Sequence, residues 1–219
     1  MRNLTTTLAL ILLLSGCGGG GSGGGKSKQD YNTSEGVRIA HSALDGSPVL
    51  AILDGKPLSD TALAFNNISP FYSIKEGRHE LVLQEEGGGV QRKVFFNFQD
   101  GEKFTVLFAG NNLTSSVIQE ETSDSNKEDA TKKCPTTFIH GVSNSDSLQI
   151  VLNGVAGGHI APLSVSRAIA LTAGENQITL LSDQGTIVWK GIVTCKEKEN
   201  HAVLVSGKAN YFVTGISIP

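Results

Sequence analysis

"VRIAHSALDGSPVLAILDGKP", residues 37–57, is the clearest part of a pattern that this chain contains twice. The second copy reads "TFIHGVSNSDSLQIVLNGVA" at residues 137–156 and aligns with the first at an offset of 99 residues. In this alignment His41 falls on His140. Two copies of one pattern predict two copies of one structural unit.

Two further pairs of segments extend the repeat at an offset of 97 residues. "EGRHELVL" at 76–83 aligns with "AGENQITL" at 173–180, and "TVLFAG" at 105–110 aligns with "AVLVSG" at 202–207. A deletion of two residues within the second copy reconciles the two offsets. An internal duplication explains four matched pairs of segments better than chance does.

Both copies have the residue pattern of β-structure. The Asp-Gly dipeptide at 54–55 and the Asn-Gly dipeptide at 153–154 stand between apolar runs, which is typical of tight hairpin turns. Phe104, Val106 and Phe108 recur with a period of two, as in a half-buried strand. Short runs of this kind, separated by turn residues, predict an all-β fold with an antiparallel sandwich of about seven strands in each copy.

The predicted organisation follows from these repeats and from the composition between them. Residues 119–133 carry charges of both signs and no large apolar residue, which is typical of an exposed linker. The predicted units are a lipoprotein signal peptide at 1–16, a lipidated cysteine with a Gly/Ser-rich tether at 17–35, repeat 1 at 36–118, the linker at 119–133, and repeat 2 at 134–219.

The first segment has the order of features found in an export signal. Arg2 precedes an unbroken apolar run at 8–14, which is too short to span a bilayer. The run ends in Leu-Ser-Gly before Cys17, which resembles a bacterial lipobox. This resemblance implies lipidation of Cys17 and attachment to a membrane. Position 18 is Gly rather than Asp, the residue that would favour retention at the inner membrane. In this respect the chain resembles lipoproteins that are sorted by default to the outer membrane.

The glycines after this cysteine match the sequence pattern of a phosphate-binding loop. "GGGGSGGGKS" at 18–27 satisfies G-x-x-x-x-G-K-[ST] when it is read from Gly20. Such a loop needs a strand before it and a helix after it, and the flanking sequence predicts neither. We interpret the segment as a flexible tether and expect no nucleotide. The net charge of −3 and the lack of a basic run predict no nucleic-acid binding.

Two cysteines remain once Cys17 is assigned to lipid. Outside the cytoplasm Cys134 and Cys195 would meet an oxidising environment, which favours a disulfide bond between them. The alternative is a pair of free, buried cysteines. Two sulfurs without a neighbouring His pair at ligand spacing predict no metal site, and no cofactor motif is present.

His41 and His140 are the sharpest candidates for chemistry, because they occupy equivalent positions. In one interpretation they are ligands or bases next to Asp45 and its counterpart Asn144. In the other, each is a histidine at a strand end whose ring nitrogens organise the following loop. Asp45 together with Asp54 could bind calcium, but turn formation explains both aspartates equally well.

Two histidines and one aromatic run are given predicted positions. His159 and His201 have no counterpart in repeat 1, and we expect both at the surface. Phe95 lies on the face opposite to Phe96 and Phe98 of the same run, so at least one of these aromatic residues points away from a simple sandwich core. A sheet edge, a contact between the domains or a partner could cover it, and this run is the only sequence indication of an interaction surface.

A family resemblance is carried in repeat 1 by Val37, Arg38, His41, Asp45, Pro48, Asp54, Gly55, Gly77 and His79. With these residues the repeat resembles the bacterial domain-of-unknown-function family 4397, whose members open with V-R-x-x-H-x-x-x-D-x-P before a hairpin and an A-G-x-H strand. This chain departs from the pattern at one point, because two residues rather than one separate Asp45 from Pro48. Repeat 2 keeps His140, Asn153, Gly154 and Gly174, and has Asn144, Ser147 and Asn176 where the family has Asp, Pro and His. The resemblance implies tandem immunoglobulin-like sandwiches on a cell-envelope protein, and no established activity.

The function predicted from these observations is that of a non-catalytic binding or scaffolding module, held at the envelope by a lipid anchor. Its predicted partners are the membrane, through the anchor, and an envelope protein or a glycan. The alternative is a carbohydrate-binding surface protein, although exposed Trp or Tyr platforms are lacking. An envelope hydrolase is the third class, and no catalytic triad or carboxylate pair favours it.

Overall fold

The computed structural model describes residues 35–44, 46–89, 91–110, 114–120, 133–197, 199–208 and 211–217. Every regular element in this part of the chain is a β-strand, and none is a helix. The predicted all-β fold is therefore confirmed. Within the same residues, no helix has the length and apolarity needed to cross a membrane.

The described residues form seventeen strands, in two groups that follow the two repeats. The first group is β1 (Gly36–His41), β2 (Val49–Leu53), β3 (Lys56–Pro57), β4 (Asn67–Ile68), β5 (Gly77–Glu85), β6 (Gln91–Phe98), β7 (Lys103–Ala109) and β8 (Thr114–Gln119). The second is β9 (Lys133–His140), β10 (Leu148–Leu152), β11 (Val155–Ile160), β12 (Ser164–Val165), β13 (Ile169–Thr172), β14 (Gly174–Ser182), β15 (Ile187–Cys195), β16 (His201–Lys208) and β17 (Tyr211–Ser217).

Each group forms two sheets. In repeat 1 the strand orders are β4-β1-β7-β8 and β3-β2-β5-β6. In repeat 2 they are β12-β9-β16-β17, where β13 also pairs with β9, and β11-β10-β14-β15. The order of pairing is thus the same in both repeats. The immunoglobulin-like assignment is a finer statement than this order, and it stays a prediction.

The two Gly-containing dipeptides form the predicted hairpin turns. Asp54 and Gly55 have φ angles of 48° and 78°, and Leu53 pairs with Lys56 on either side of them. Asn153 and Gly154 have φ angles of 48° and 83° and connect β10 to β11 in the same way. Positive φ at both central residues is the type I′ conformation, which Asp and Asn tolerate and Gly adopts freely.

Each repeat has its own core between its two sheets. The strongest contributors in repeat 1 are inward-facing residues of β1, β5, β6 and β7, and those in repeat 2 come from β9, β10, β14, β15 and β16. Fully buried members include Ile39, Leu81, Leu83, Val106 and Phe108 in the first core, and Phe138, Ile150, Ile178, Leu180 and Val205 in the second.

A third core joins the two repeats. It is formed by the opposite faces of β1, β7, β9 and β16, which are the strands that pair in parallel within each repeat. A strand that is buried on both faces has apolar residues at both its odd and its even positions, and β1 and β7 are such strands. The fold is therefore a stack of four sheets with repeat 1 against repeat 2. The buried members of this third core are Ala40, Leu107, Ala109, Ile139, Ala202 and Leu204.

Ser42 and Gly141 meet at the centre of this contact, and they are equivalent positions in the repeat. The hydroxyl of Ser42 donates to the carbonyl oxygen of Gly141 at 2.9 Å. Each backbone N–H also donates to a carbonyl of its own repeat, from Ser42 to Phe108 and from Gly141 to Val205. One side chain thus fills the space at a point where two equivalent residues face each other.

Candidate functional site

His41 stands at the end of β1 with its side chain fully buried. Its Nε2 lies 3.0 Å from the carbonyl oxygen of Ser47, so the ring N–H donates to the loop between β1 and β2. The N–H of Ser47 donates in turn to Glu85 Oε1 at 3.1 Å. His41 and Glu85 together hold Ser47 of this loop through its backbone C=O and N–H groups.

His140 occupies the same place in repeat 2. Its Nε2 lies 3.2 Å from the carbonyl oxygen of Asp146, which is the counterpart of Ser47. Its Nδ1 accepts from the N–H of Val142 at 3.4 Å. The imidazole therefore organises the loop that follows β9.

The surroundings of both rings favour the loop-organising interpretation. Burial lowers the pKa of His41 and of His140, although the carbonyls of Ser47 and Asp146 act in the opposite direction. A ring that no solvent reaches is a poor base for an external substrate. The hydroxyl of Ser42 donates to backbone carbonyls and offers no nucleophile to His41.

A polar network supports the tight turn of repeat 1. One carboxylate oxygen of Asp54 accepts from the N–H of Glu80 at 2.9 Å, and the other lies 2.7 Å from Nδ1 of His79. His79 Nε2 is 2.7 Å from the carbonyl oxygen of Lys75. The hydrogen bond from Glu80 and the contact with His79 hold the pKa of Asp54 below its usual value. Both oxygens of this carboxylate are thus engaged by the protein, which agrees with a turn-forming role for Asp54.

Repeat 2 builds the same network without titratable groups. Asn153 Oδ1 accepts from the N–H of Gln177 at 2.8 Å. Asn176 replaces His79, and its amide donates to the carbonyl oxygen of Thr172 at 2.8 Å. The side chains of Asn153 and Asn176 join at 3.3 Å. The exchange of Asp–His for Asn–Asn keeps every connection, so this network supports the hairpin in both repeats.

Cys134 and Cys195 form a disulfide bond with a Cα–Cα separation of 5.9 Å. It joins the start of β9 to the end of β15 at one end of the second core. His201 lies beside it and is only 1% exposed. The prediction that His201 is a surface residue is wrong, because position 201 corresponds to Phe104, a core residue of repeat 1. His159, in contrast, is exposed as expected.

Sequence reasoning missed a buried ion pair next to the third core. Arg38 and Glu120 have side chains that are 5% exposed, and Nη2 of Arg38 lies 2.7 Å from Oε1 of Glu120. The hydroxyl of Thr105 also donates to this carboxylate, and the ring of Phe71 lies 4.7 Å from the guanidinium. Burial lowers the pKa of Arg38 while Glu120 opposes that shift. The sequence indication of this ion pair is the charged residue at position 38, inside an apolar strand.

The outer faces of the two outermost sheets carry exposed apolar side chains at equivalent positions. Phe95 on β6 is 54% exposed and Ile192 on β15 is 56% exposed. Phe95 pairs with Glu80, and Ile192 pairs with Gln177, the counterpart of Glu80. The prediction that at least one aromatic residue of this run faces away from the core is confirmed, and that residue is Phe95, since Phe96 and Phe98 are buried. The guanidinium of Arg78 lies 5.4 Å from the ring of Phe95.

Two of the predicted site residues lie outside the described residues. These are Cys17, the predicted lipidation site, and Asp45, the predicted neighbour of His41. Comparison with known proteins adds no assignment, since no protein-family model matches the chain and no curated protein matches it significantly. The resemblance to family 4397 therefore stays a prediction.

Proposed function

We propose that this protein is an envelope lipoprotein whose two repeats form a non-catalytic binding module for another envelope protein. The observation that carries the proposal is the pair of exposed apolar residues, Phe95 and Ile192, on the outer faces of the two outer sheets. Large apolar side chains on a surface cost solubility, and a partner that covers them explains their presence. Neither residue belongs to any of the three cores.

The equivalence of the two positions strengthens this inference. The repeats have diverged at most positions, yet both retain an exposed lysine two residues before the apolar side chain, namely Lys93 and Lys190. Because side chains alternate along a strand, each lysine shares a face with its apolar neighbour. A feature present twice, away from the cores, is better explained by a common binding role than by folding.

The catalytic alternative has less support. His41 and His140 are buried and bonded to loop carbonyls, and the two carboxylate oxygens of Asp54 are bonded within the hairpin network. Carbohydrate binding is the second candidate, because Phe95 offers an exposed aromatic ring. Arg78 lies over that ring, and Ile192 offers no ring at the equivalent place. A protein partner fits both repeats.

Site-specific photo-crosslinking in the cells that make this chain tests the proposal. A photoreactive amino acid is placed at Phe95, at Ile192, or at Val155, which is 70% exposed and has the polar Lys56 as its counterpart. We expect the same protein adduct from positions 95 and 192 and none from 155. Equal adducts at all three positions would show non-specific hydrophobic binding. An adduct that a glycosidase removes would favour the glycan.

The lipid anchor is tested separately. The features of the segment at 1–16 and Cys17 support it, and a Cys17→Ser chain is expected to leave the membrane fraction while retaining its fold. Mass spectrometry of the mature chain should show acyl groups on Cys17. A chain that stays in the membrane fraction after this substitution would contradict the anchor without affecting the binding proposal.

A further inference from the structure

Three metal-binding side chains converge at one end of the second core. Cys134, Cys195 and His201 each offer one ligand atom, and these atoms lie within 4.8 Å of one another. All three residues are buried. They come from β9, β15 and β16, three strands that bring distant parts of the sequence to one point.

The imidazole in this cluster has no assigned role in the fold. Neither Nδ1 nor Nε2 of His201 has a hydrogen-bond partner among the described residues. Burying polar nitrogens without partners is unfavourable, so each such group requires an explanation. Glu199 Oε2 is also buried without a hydrogen bond to any residue that the structure describes, and it lies 3.8 Å from Nε2 of His201. Two unsatisfied polar groups thus lie beside the sulfur atoms.

Repeat 1 shows that the fold does not need these residue types. The counterparts of Cys195 and His201 are Phe98 and Phe104, and their ring centroids are 6.3 Å apart. Aromatic packing fills this end of the core in repeat 1. A histidine retained only for packing would be a poor substitute for phenylalanine, because its nitrogens are desolvated.

We propose that, in its dithiol state, this protein binds one Zn²⁺-class cation through the sulfurs of Cys134 and Cys195 and the imidazole of His201. Thiolate and imidazole are the ligands that Zn²⁺ prefers, and two cysteines with one histidine form a known type of zinc ligand set. Two thiolates balance the charge of a divalent cation. The resulting complex is neutral, which suits a buried apolar site.

The step from the disulfide to the metal site requires a reductant. A dithiol supplies two electrons and two protons, the S–S bond breaks to give two thiols, and the reductant leaves as its own disulfide. The cation then displaces the two thiol protons, which are released to solvent. The disulfide and the metal complex are mutually exclusive states, and every chain is synthesised as the dithiol.

The surroundings of the cluster provide a fourth position. Glu199 Oε1 is 3.6 Å from Nζ of Lys196, while Oε2 faces the imidazole. This carboxylate is available to accept a hydrogen bond from a water molecule at the fourth position, which leaves the complex of cation, thiolates and imidazole neutral. The neutral imidazole is the form that coordinates metal.

Titration with Co²⁺ tests the proposal, because this ion reports thiolate ligation and tetrahedral geometry in its visible spectrum. The full chain carrying Cys17→Ser is purified in mild detergent and titrated in its oxidised form and after reduction with a phosphine. We expect no spectrum from the oxidised protein. The reduced protein should bind one Co²⁺ per chain with thiolate charge-transfer bands, and one equivalent of Zn²⁺ should remove them.

Two histidine variants make the result decisive. His201→Phe places the residue of repeat 1 in the cluster and is expected to weaken Co²⁺ binding by about tenfold or more. His159→Ala, at an exposed position, should leave binding unchanged. The proposal is overturned if the reduced chain gives no cobalt spectrum. It is also overturned if the two variants bind equally well, as they would if reduction merely unfolded the chain and exposed its thiols.

Discussion

Gly141→Ala is expected to destabilise the contact between the two repeats, because Ser42 occupies the space that a side chain at position 141 would need. A Cβ atom built on Gly141 overlaps Oγ and Cβ of Ser42 and lies 3.2 Å from the carbonyl oxygen of Val205. Cβ of Ser42 is fixed by its backbone, so a rotation of the hydroxyl cannot relieve the overlap. The φ angle of Gly141 is not in the left-handed region, and the effect is therefore steric.

The magnitude follows from two contributions. Overpacking a well-filled core costs about 1–3 kcal/mol. Displacing Ser42 also breaks the 2.9 Å hydrogen bond from its hydroxyl to the carbonyl of Gly141, which contributes about 1 kcal/mol. We expect Gly141→Ala to lower the free energy of unfolding by about 2–4 kcal/mol. Urea denaturation followed by circular dichroism measures this change.

A double-mutant cycle separates this explanation from a general loss of stability. Ser42→Gly alone loses the hydrogen bond and gains backbone freedom, and it should cost about 1–2 kcal/mol. The exchanged pair, Ser42→Gly with Gly141→Ser, again places one hydroxymethyl group at the contact. We expect the exchanged pair to lose less free energy of unfolding than Ser42→Gly and Gly141→Ser lose in sum, by at least about 1 kcal/mol. The reasoning is refuted if Gly141→Ala has no effect, or if the effects of the exchanged pair simply add.

Three further predictions concern buried polar groups and the disulfide. Glu120→Ala should lower the free energy of unfolding by about 3–5 kcal/mol, measured by urea denaturation, because it leaves the guanidinium of Arg38 buried without its partner. Arg38→Met combined with Glu120→Leu should recover most of this loss. An equal loss in the single and the double variant would contradict the prediction. Burial holds the pKa of His201 below its usual 6.5, so the unfolded chain takes up this proton first and stability is lost as the pH falls below 6.5. His201→Phe should therefore reduce the drop in Tm between about pH 7 and pH 5, and an unchanged pH profile would show that another group is responsible. Reduction of the disulfide, whose cysteines are 61 residues apart, should lower the free energy of unfolding by about 4 kcal/mol on the chain-entropy argument; in the Cys134→Ala, Cys195→Ala double variant the reductant should have no effect.

The sequence predicts most of the local structure, because local structure depends on neighbouring residues. Asp54-Gly55 and Asn153-Gly154 adopt the positive φ angles that these residue types favour, and the strands on either side follow from alternating apolar residues. Phe95 faces outward because its parity is opposite to that of its buried neighbours. The disulfide between Cys134 and Cys195 agrees with their count and with the expected oxidising environment.

The contact between the repeats was not predicted, although its residues are visible in the sequence. A simple sandwich would expose the positions of Ala40, Leu107 and Leu204. The strands β1, β7 and β16 therefore carry apolar residues at both their odd and their even positions. Such a pattern indicates that both faces are covered, but it does not say by what. The answer depends on contacts between residues about 100 positions apart, which no local rule describes.

His201 shows how much information the repeat alignment holds. The expectation of a surface position rests on the lack of a histidine counterpart in repeat 1, whereas the alignment of His201 with Phe104 predicts a core position. The same alignment identifies where repeat 2 departs from pure packing. Phe98 and Phe104 fill one end of the first core, and a disulfide with a histidine fills the equivalent place in the second. Differences between internal copies therefore locate candidate chemistry without any external relative.

The four-sheet stack has a consequence for the proposed binding role. Because the third core buries the inner sheets of both repeats against each other, the remaining outer faces lie at opposite ends of the stack. In the proposed binding role, Phe95 and Ile192 would therefore contact two copies of the same partner, or two sites on one partner molecule that surrounds the module. Simultaneous engagement would raise the apparent affinity well above that of either face alone. Loss of Phe95 or Ile192 alone would then weaken binding strongly, whereas two independent sites would lose only half of the bound partner.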